Sequence, residues 1–224
     1  MLRAIVFDFD GVLANSEPLH FRAFRDVLAP AGVVLTEADY YGRYLGYDDV
    51  GSFRAIAHDQ GLEWDAGRIA GLTRQKAIRM EALERDVSVL FPGAADLVRR
   101  AAEAFPIAIA SGALGPEIRR VLDRHDLTRC FSAIVSAEDT PVSKPAPDPY
   151  DLALSLLSST TGAIIPPGHC VAIEDSLQGL ESARRAGLRT VGVAQTYPAH
   201  TLAADLVVES IAHVDIEHLR SLTQ

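Results

Sequence analysis

Six short apolar runs, spaced along a chain of 224 residues, limit what this sequence can fold into. They are Ala4–Phe7, Ile107–Ala110, Ala133–Val135, Cys170–Ile173, Thr190–Val193 and Leu206–Val208. Each is too short for a helix. Most are continuously apolar rather than alternating, which marks strands buried on both faces. Helical patterns separate them: Ala94–Ala104 after Pro92-Gly93, Pro116–His125 after Gly115, and Asp148–Leu157 after Pro147. A fourth, Ser176–Ala186, ends at Gly187, a glycine placed to cap a helix. Strand alternating with helix predicts an α/β fold, a Rossmann-like parallel sheet with right-handed crossovers and helices on both faces.

Residues 15–91 break this rhythm. They hold helical patterns over Pro18–Leu28, Glu37–Tyr44, Val50–Gln60 and Ala66–Leu83, and no convincing strand. The expectation is an all-helical subdomain (15–91) inserted into a core built from 1–14 and 92–224. Its entry near Asn15–Pro18 and its exit near Leu90–Gly93 are candidate hinges.

A formal net charge of −9 argues against a nucleic-acid surface, which needs clustered Lys and Arg. It leaves room for a small phosphorylated ligand, which needs only a local positive site. No apolar run approaches the roughly 18 residues of a membrane span. Met1-Leu2-Arg3 leads straight into a strand-like run, without the features of a signal peptide. Cys130 and Cys170 stand in unrelated contexts and read as thiols of a reducing compartment. A cytoplasmic protein is expected, with no membrane or nucleic-acid partner. Of 21 basic residues only Lys76 and Lys144 are lysine, so a lysine kept in this arginine-rich set stands out.

Ligands of open parallel sheets bind beyond the carboxyl ends of the strands, and four strand ends here carry polar residues. The first is Asp8-Phe9-Asp10-Gly11. Residues i and i+2 of an extended chain point the same way, so both carboxylates can face one site. Two like charges so close are costly unless one is protonated or a cation sits beside them, and Mg²⁺ suits oxygen ligands. A surface Asp-Gly turn is the structural alternative. The second is Ser111-Gly112, able to offer a hydroxyl and backbone N–H groups to an anion, or simply a strand-to-helix turn. The third is Ser143-Lys144-Pro145-Ala146-Pro147, whose prolines are expected to hold Lys144 on an extended, stiffened loop where its ammonium suits phosphate oxygens. An ordinary solvated lysine is the alternative. The fourth is Glu174-Asp175-Ser176, where Asp175 followed by Gln178 also fits a capping box.

Taken together and in this order, the motifs "DFDGVL", "ASGA", "SKPAPDPY" and "IEDSLQGLESARRAG" resemble the haloacid dehalogenase superfamily. The likeness covers nearly the whole chain. It is to the branch containing β-phosphoglucomutase and related sugar-phosphate and phosphoglycolate phosphatases. The resemblance implies a mobile helical cap between the first two motifs. It implies Asp8 as the nucleophile that becomes an aspartyl phosphate, and Asp10 as general acid and then base. Ser111, Gly112 and Lys144 would hold the phosphoryl oxygens. Asp8, Asp10 through its carbonyl, Glu174 and Asp175 would hold Mg²⁺. An acid at Asp10 fits an alcohol leaving group and not a halide, which departs without a proton.

Substrate choice is expected in the cap. Four of the six tyrosines crowd the stretch from Tyr40 to Tyr47, which resembles the family's specificity loop. Arg43 and Tyr47 are candidates there, although Tyr40, Tyr44 and Tyr47 also have the spacing of cap core. The mutases of the branch place an arginine for a second phosphate where Gly46-Tyr47-Asp48-Asp49 here carries acids. His20 matches a cap-hinge histidine of the same branch, or is an exposed helix residue. The balance favours a phosphatase of a small phosphorylated metabolite over a hexose-phosphate mutase. A catalytically silent binding protein is disfavoured, since no core acid is missing. A monomer is expected.

Overall fold

The computed structural model describes residues 1–45, 47–85 and 87–224. Among them the chain divides into two compact units, residues 1–15 with 89–224, and residues 16–88. No helix of the described residues is long and apolar enough to cross a membrane. Cys130 and Cys170 are both free thiols.

The first unit is a six-stranded sheet: β1 (Ala4–Phe7), β2 (Ile107–Ala110), β3 (Ala133–Val135), β4 (Cys170–Glu174), β5 (Arg189–Val193) and β6 (Leu206–Val208). The order is β3-β2-β1-β4-β5-β6 and every pairing is parallel. The direction of winding therefore reverses between β1 and β4, and such a reversal opens a crevice at the carboxyl edge. β1 pairs with β4 so that Phe7 stands opposite Ile173, and the next amide, Asp8 N–H, donates to Ile173 O at 2.9 Å.

Both faces of the central strands are covered, which is why they lack alternation in sequence. One face carries Ala4, Val6, Ala108, Ala110, Cys170 and Ala172 against Tyr150, Ala153, Leu154 and Leu157 of the helix Asp148–Thr161 and against Ala183 of the helix Leu177–Arg185. The alanines leave depth for the large Tyr150 side chain, which is fully buried. The helices Ala94–Ala104 and Gly115–Arg124 bury Leu97, Val98, Ala101, Ile118 and Leu122. A final helix, Ile216–Ser221, has no counterpart in the sequence pattern; at six residues it is too short to show periodicity.

The second unit is helical throughout: α1 (Glu17–Leu28), α2 (Glu37–Asp39), α3 (Asp49–Asp59) and α4 (Ala66–Glu84). The expected helix over Glu37–Tyr44 is one α-turn that widens into a π-helical segment over Tyr40–Tyr44. Its apolar centre joins Phe24, Leu28, Tyr40, Tyr44, Phe53 and Leu72. The remaining helices are numbered in chain order: α5 (Ala94–Ala104), α6 (Gly115–Arg124), α7 (Asp148–Thr161), α8 (Leu177–Arg185) and α9 (Ile216–Ser221).

Candidate active site

Strand alternation delivers the first acids. Ala4, Val6 and then Asp8 follow one another down β1 on the α7 face, as Cys170, Ala172 and Glu174 do down β4. The two carboxylates meet the loop lysine between them. Lys144 Nζ lies 2.9 Å from Asp8 Oδ1 and 2.6 Å from Glu174 Oε1. Lys144 is therefore not a solvated surface residue. Its loop departs from the expected extended form: Ala146 N–H donates to Ser143 O at 3.1 Å, closing a turn around a cis Lys144–Pro145 peptide. The turn is tied to α8 by Ser182 Oγ, which donates to Ala146 O at 2.5 Å.

Glu174 is fully buried and accepts several hydrogen bonds. Oε1 accepts from Lys144 and from the Tyr150 hydroxyl at 2.8 Å. Oε2 accepts from Asp175 N–H at 3.1 Å and from Ser176 Oγ at 3.2 Å, at the head of α8. The cap of α8 is Ser176, whose hydroxyl accepts from Gly179 N–H at 3.1 Å. This corrects the capping reading of Asp175. The serine performs that task and Asp175 is left facing the site, where the Thr196 hydroxyl donates to it. Two glycines make room for the acids. A Cβ on Gly179 would stand 1.9 Å from the Glu174 carboxyl group, and one on Gly11 would stand 1.9 Å from Asp175 Oδ2. Gly11 also has φ +75°, a left-handed conformation that glycine adopts freely.

Asp8, Glu174 and Asp175 each place one carboxylate oxygen within 4.8 Å of the others. Three acids thus share one ammonium, and burial together with the surplus negative charge shows in the proton affinities of Asp8 and Asp175. Burial, and then Glu174, push the Asp8 carboxyl up to about 6 against the pull of Lys144. Burial, Asp8 and Glu174 hold Asp175 well above the usual carboxylate range. Burial works against the charge of Lys144, but Asp8 and Glu174 together outweigh it and hold the ammonium above its ordinary value. Burial and the same acids keep the Tyr150 hydroxyl protonated, hence a donor. A cluster of this composition fits a hard divalent cation, which oxygen ligands bind and which would relieve the repulsion.

Asp10 lies in the turn after β1. Gly11 N–H donates to Ala14 O, and Leu13 and Ala14 N–H both donate to Phe9 O. Gln195, from the far end of the chain, braces this turn by donating to Gly11 O at 2.9 Å and Val12 O at 3.3 Å. Its own carbonyl accepts from Ile211 N–H at 2.9 Å. Ser111 is buried at the end of β2, the strand beside β1, and its hydroxyl accepts from Ala113 N–H at 3.1 Å across Gly112. The turn reading of Ser-Gly and a place on the carboxyl edge therefore both hold.

In the helical unit, His20 is not an exposed helix residue. Its Nδ1 lies 2.7 Å from Lys76 Nζ, which also pairs with Asp49 Oδ1 at 2.7 Å. Burial and the neighbouring ammonium hold His20 well below its ordinary value, so the ring is neutral and Nδ1 accepts. Lys76 is fully buried, with Nζ 5.1 Å from the centre of the Phe24 ring. Arg43 pairs with Asp59 at 2.5 Å. Tyr40 and Tyr44 belong to the apolar centre and donate to Glu17 and Asp59, whereas Tyr47 is exposed. Asp48 caps α3 by accepting from Gly51 N–H at 2.6 Å. Gly46 lies outside the described residues.

Tyr150, Thr196, Gln195 and Gly179 carry no signal of their own in the sequence. Tyr150 closes the motif "SKPAPDPY", but a tyrosine one turn into a helix reads as core until its neighbours are known.

Residues 2–187 match the haloacid dehalogenase-like hydrolase family, and the chain belongs to it. It is 34% identical to the protein CbbY of Cereibacter sphaeroides, over 96% of this chain and 94% of that one. It is 30% identical to hexitol phosphatase B of Escherichia coli K12, over 96% of each chain. Among solved structures, CbbY from Rhodobacter sphaeroides in complex with xylulose-(1,5)bisphosphate superimposes with a TM-score of 0.83. There the identity is 32%, with 95% of this chain and 96% of that one covered.

Proposed function

We propose that this hydrolase is a Mg²⁺-dependent phosphatase of a small sugar-type phosphate ester, working through an aspartyl phosphate on Asp8. The observation that carries the reading is Lys144 held between Asp8 and Glu174 at a buried strand edge. An ammonium has three N–H groups, and two are engaged by these acids. The third is left for a phosphoryl oxygen, beside the carboxylate that attacks phosphorus.

An Asp8 oxygen bonds to phosphorus as the ester oxygen leaves with a proton from Asp10. Asp10 then takes a proton from water, whose oxygen attacks the same phosphorus, releasing phosphate and restoring the Asp8 carboxylate. Lys144 and Ser111, with the backbone at Gly112, hold phosphoryl oxygens and offset their charge. Asp8, Asp175, Glu174 and the Asp10 carbonyl are the groups we assign to Mg²⁺, which supplies further positive charge when bound. We assign substrate choice to the helical unit. Arg43, the candidate there for a second phosphate, is already paired with Asp59. The names of the relatives support sugar and sugar-alcohol phosphates as a class. A cytoplasmic monomer completes the proposal.

The test is a panel of phosphate esters with Mg²⁺: hexitol and hexose phosphates, phosphoglycolate, xylulose 1,5-bisphosphate, and β-glucose 1-phosphate with a bisphosphate activator. Phosphate release is expected, and Asp8→Asn should lower it about a thousandfold or more. Undiminished release by Asp8→Asn would sink the nucleophile assignment. Isomerisation faster than release would favour a mutase instead.

A further inference from the structure

We propose that Tyr150 is a positioning residue: its hydroxyl fixes Glu174 Oε1, so that this carboxylate presents the Lys144 ammonium to Asp8. The inference rests on the phosphatase reading for its functional meaning.

Packing alone does not ask for this hydroxyl. Tyr150 stands in an apolar cluster with Ala4, Val6, Ala108, Ala110 and Ala172, where a phenylalanine ring would fill the same space. A hydroxyl carried into such a cluster is costly unless it is bonded. Tyr150 meets that requirement at one point, Glu174 Oε1, at 2.8 Å. The same oxygen lies 2.6 Å from Lys144 Nζ. The ring contributes as well, because Lys144 Nζ is 5.2 Å from its centre, within reach of a cation–π contact.

The two oxygens of Glu174 are thus held by different parts of the fold. Oε2 is fixed by the head of α8, through Asp175 and Ser176. Oε1 is fixed from α7 by Tyr150 and from the loop by Lys144. Remove the hydroxyl and Lys144 becomes the one described partner of Oε1. The carboxylate then swings about its α8 contacts, and Lys144 loses a fixed bearing on Asp8. Tyr150 acts through Glu174 and touches no reacting atom.

The chain's two lysines make the test direct. Lysine labelled with ¹⁵N gives two side-chain nitrogen signals, read through the neighbouring methylene protons, and Lys76→Arg identifies which is which. In Tyr150→Phe the Lys144 signal should shift and broaden while that of Lys76 stays in place, which also reports an intact fold. Turnover number should fall about tenfold or more, with KM changed less than about threefold, as for loss of a hydrogen bond to a charged group. Combined with Glu174→Ala, which removes both oxygens, Tyr150→Phe should lower turnover by less than about a further twofold, because its route to Lys144 is already cut. An unmoved Lys144 signal in Tyr150→Phe overturns the proposal, and so does a full multiplicative loss on top of Glu174→Ala. If the wild type releases no phosphate from any ester, the phosphatase reading fails, and the nitrogen signals still decide whether Tyr150 positions Lys144.

Discussion

The chain uses its two lysines in the same way and to opposite ends. Lys76 is fully buried and Lys144 mostly so, each touches an aromatic ring, and each pairs with a carboxylate at less than 3 Å. Lys76 in the helical unit pairs with Asp49 and a neutral His20, with Glu17 also close enough to feel its charge. Lys144 in the sheet unit faces three acids, two of which, Asp8 and Asp175, have their affinity for protons raised by burial and crowding. The Lys76 cluster, with two acids, is the more nearly balanced. The Lys144 cluster is overcharged, and its repulsion is of the kind that a cation relieves. A buried lysine alone therefore says little, and the count of acids around it says much.

The comparison can be broken most sharply at Lys144. Lys144→Ala should lower phosphate-ester turnover about 10²- to 10³-fold in steady-state kinetics, the scale of losing one preorganised donor to a transferring group. Retention within about tenfold would mean the overcharged cluster is not the catalytic one. Lys76→Met should instead appear in stability. It strands Asp49 without its partner, at about 3 kcal/mol in urea unfolding, and Lys76→Met with Asp49→Asn should recover most of that loss.

The third prediction concerns the cation. Mg²⁺ at about a hundred times its dissociation constant should stabilise the protein by about 2.7 kcal/mol, seen as a higher melting temperature. Asp175→Asn should abolish that gain and Asp49→Asn should leave it, because one acid belongs to the overcharged cluster and the other to the balanced one. The smallest effect is expected from pH. The folded state holds His20 well below its ordinary 6.5, so the unfolded chain binds this proton first. Its contribution to stability is present above about pH 6.5 and is lost as pH falls below it. His20→Gln should have a flatter stability profile than the wild type between about pH 5 and 7 in urea titrations. Identical profiles would show that the balanced cluster does not depend on a neutral histidine.

Much of the sheet is legible because burial on both faces writes itself as short apolar runs. β1, β2, β3 and β6 fall on their expected residues, and β4 and β5 extend theirs by one. β4 grows by Glu174, an acid that hydropathy ends a strand at but that hydrogen bonding keeps within it. Asp8, Lys144, Glu174 and Asp175 are legible as chemistry, since the acids sit where apolar strands stop and the lysine sits between prolines. Partnerships made across distance are not legible. Lys76 reads like any helix lysine, and nothing local links it to Asp49, 27 residues earlier. Asp175 and Ser176 are both good caps, and only the geometry of α8 chooses the serine. Proline disfavours helix at the residue before it, which points to an extended loop at Lys144 but does not exclude the turn that forms there.

The brace from Gln195 has a consequence for how the molecule is made. The carbonyls of the turn after Asp8 accept from a side chain made 184 positions later. That side chain is in turn held by Ile211. A growing chain therefore carries Asp8 on an unbraced turn until Gln195 and then Ile211 have been made. The carboxyl end of β1 is made early in this stretch and finished late.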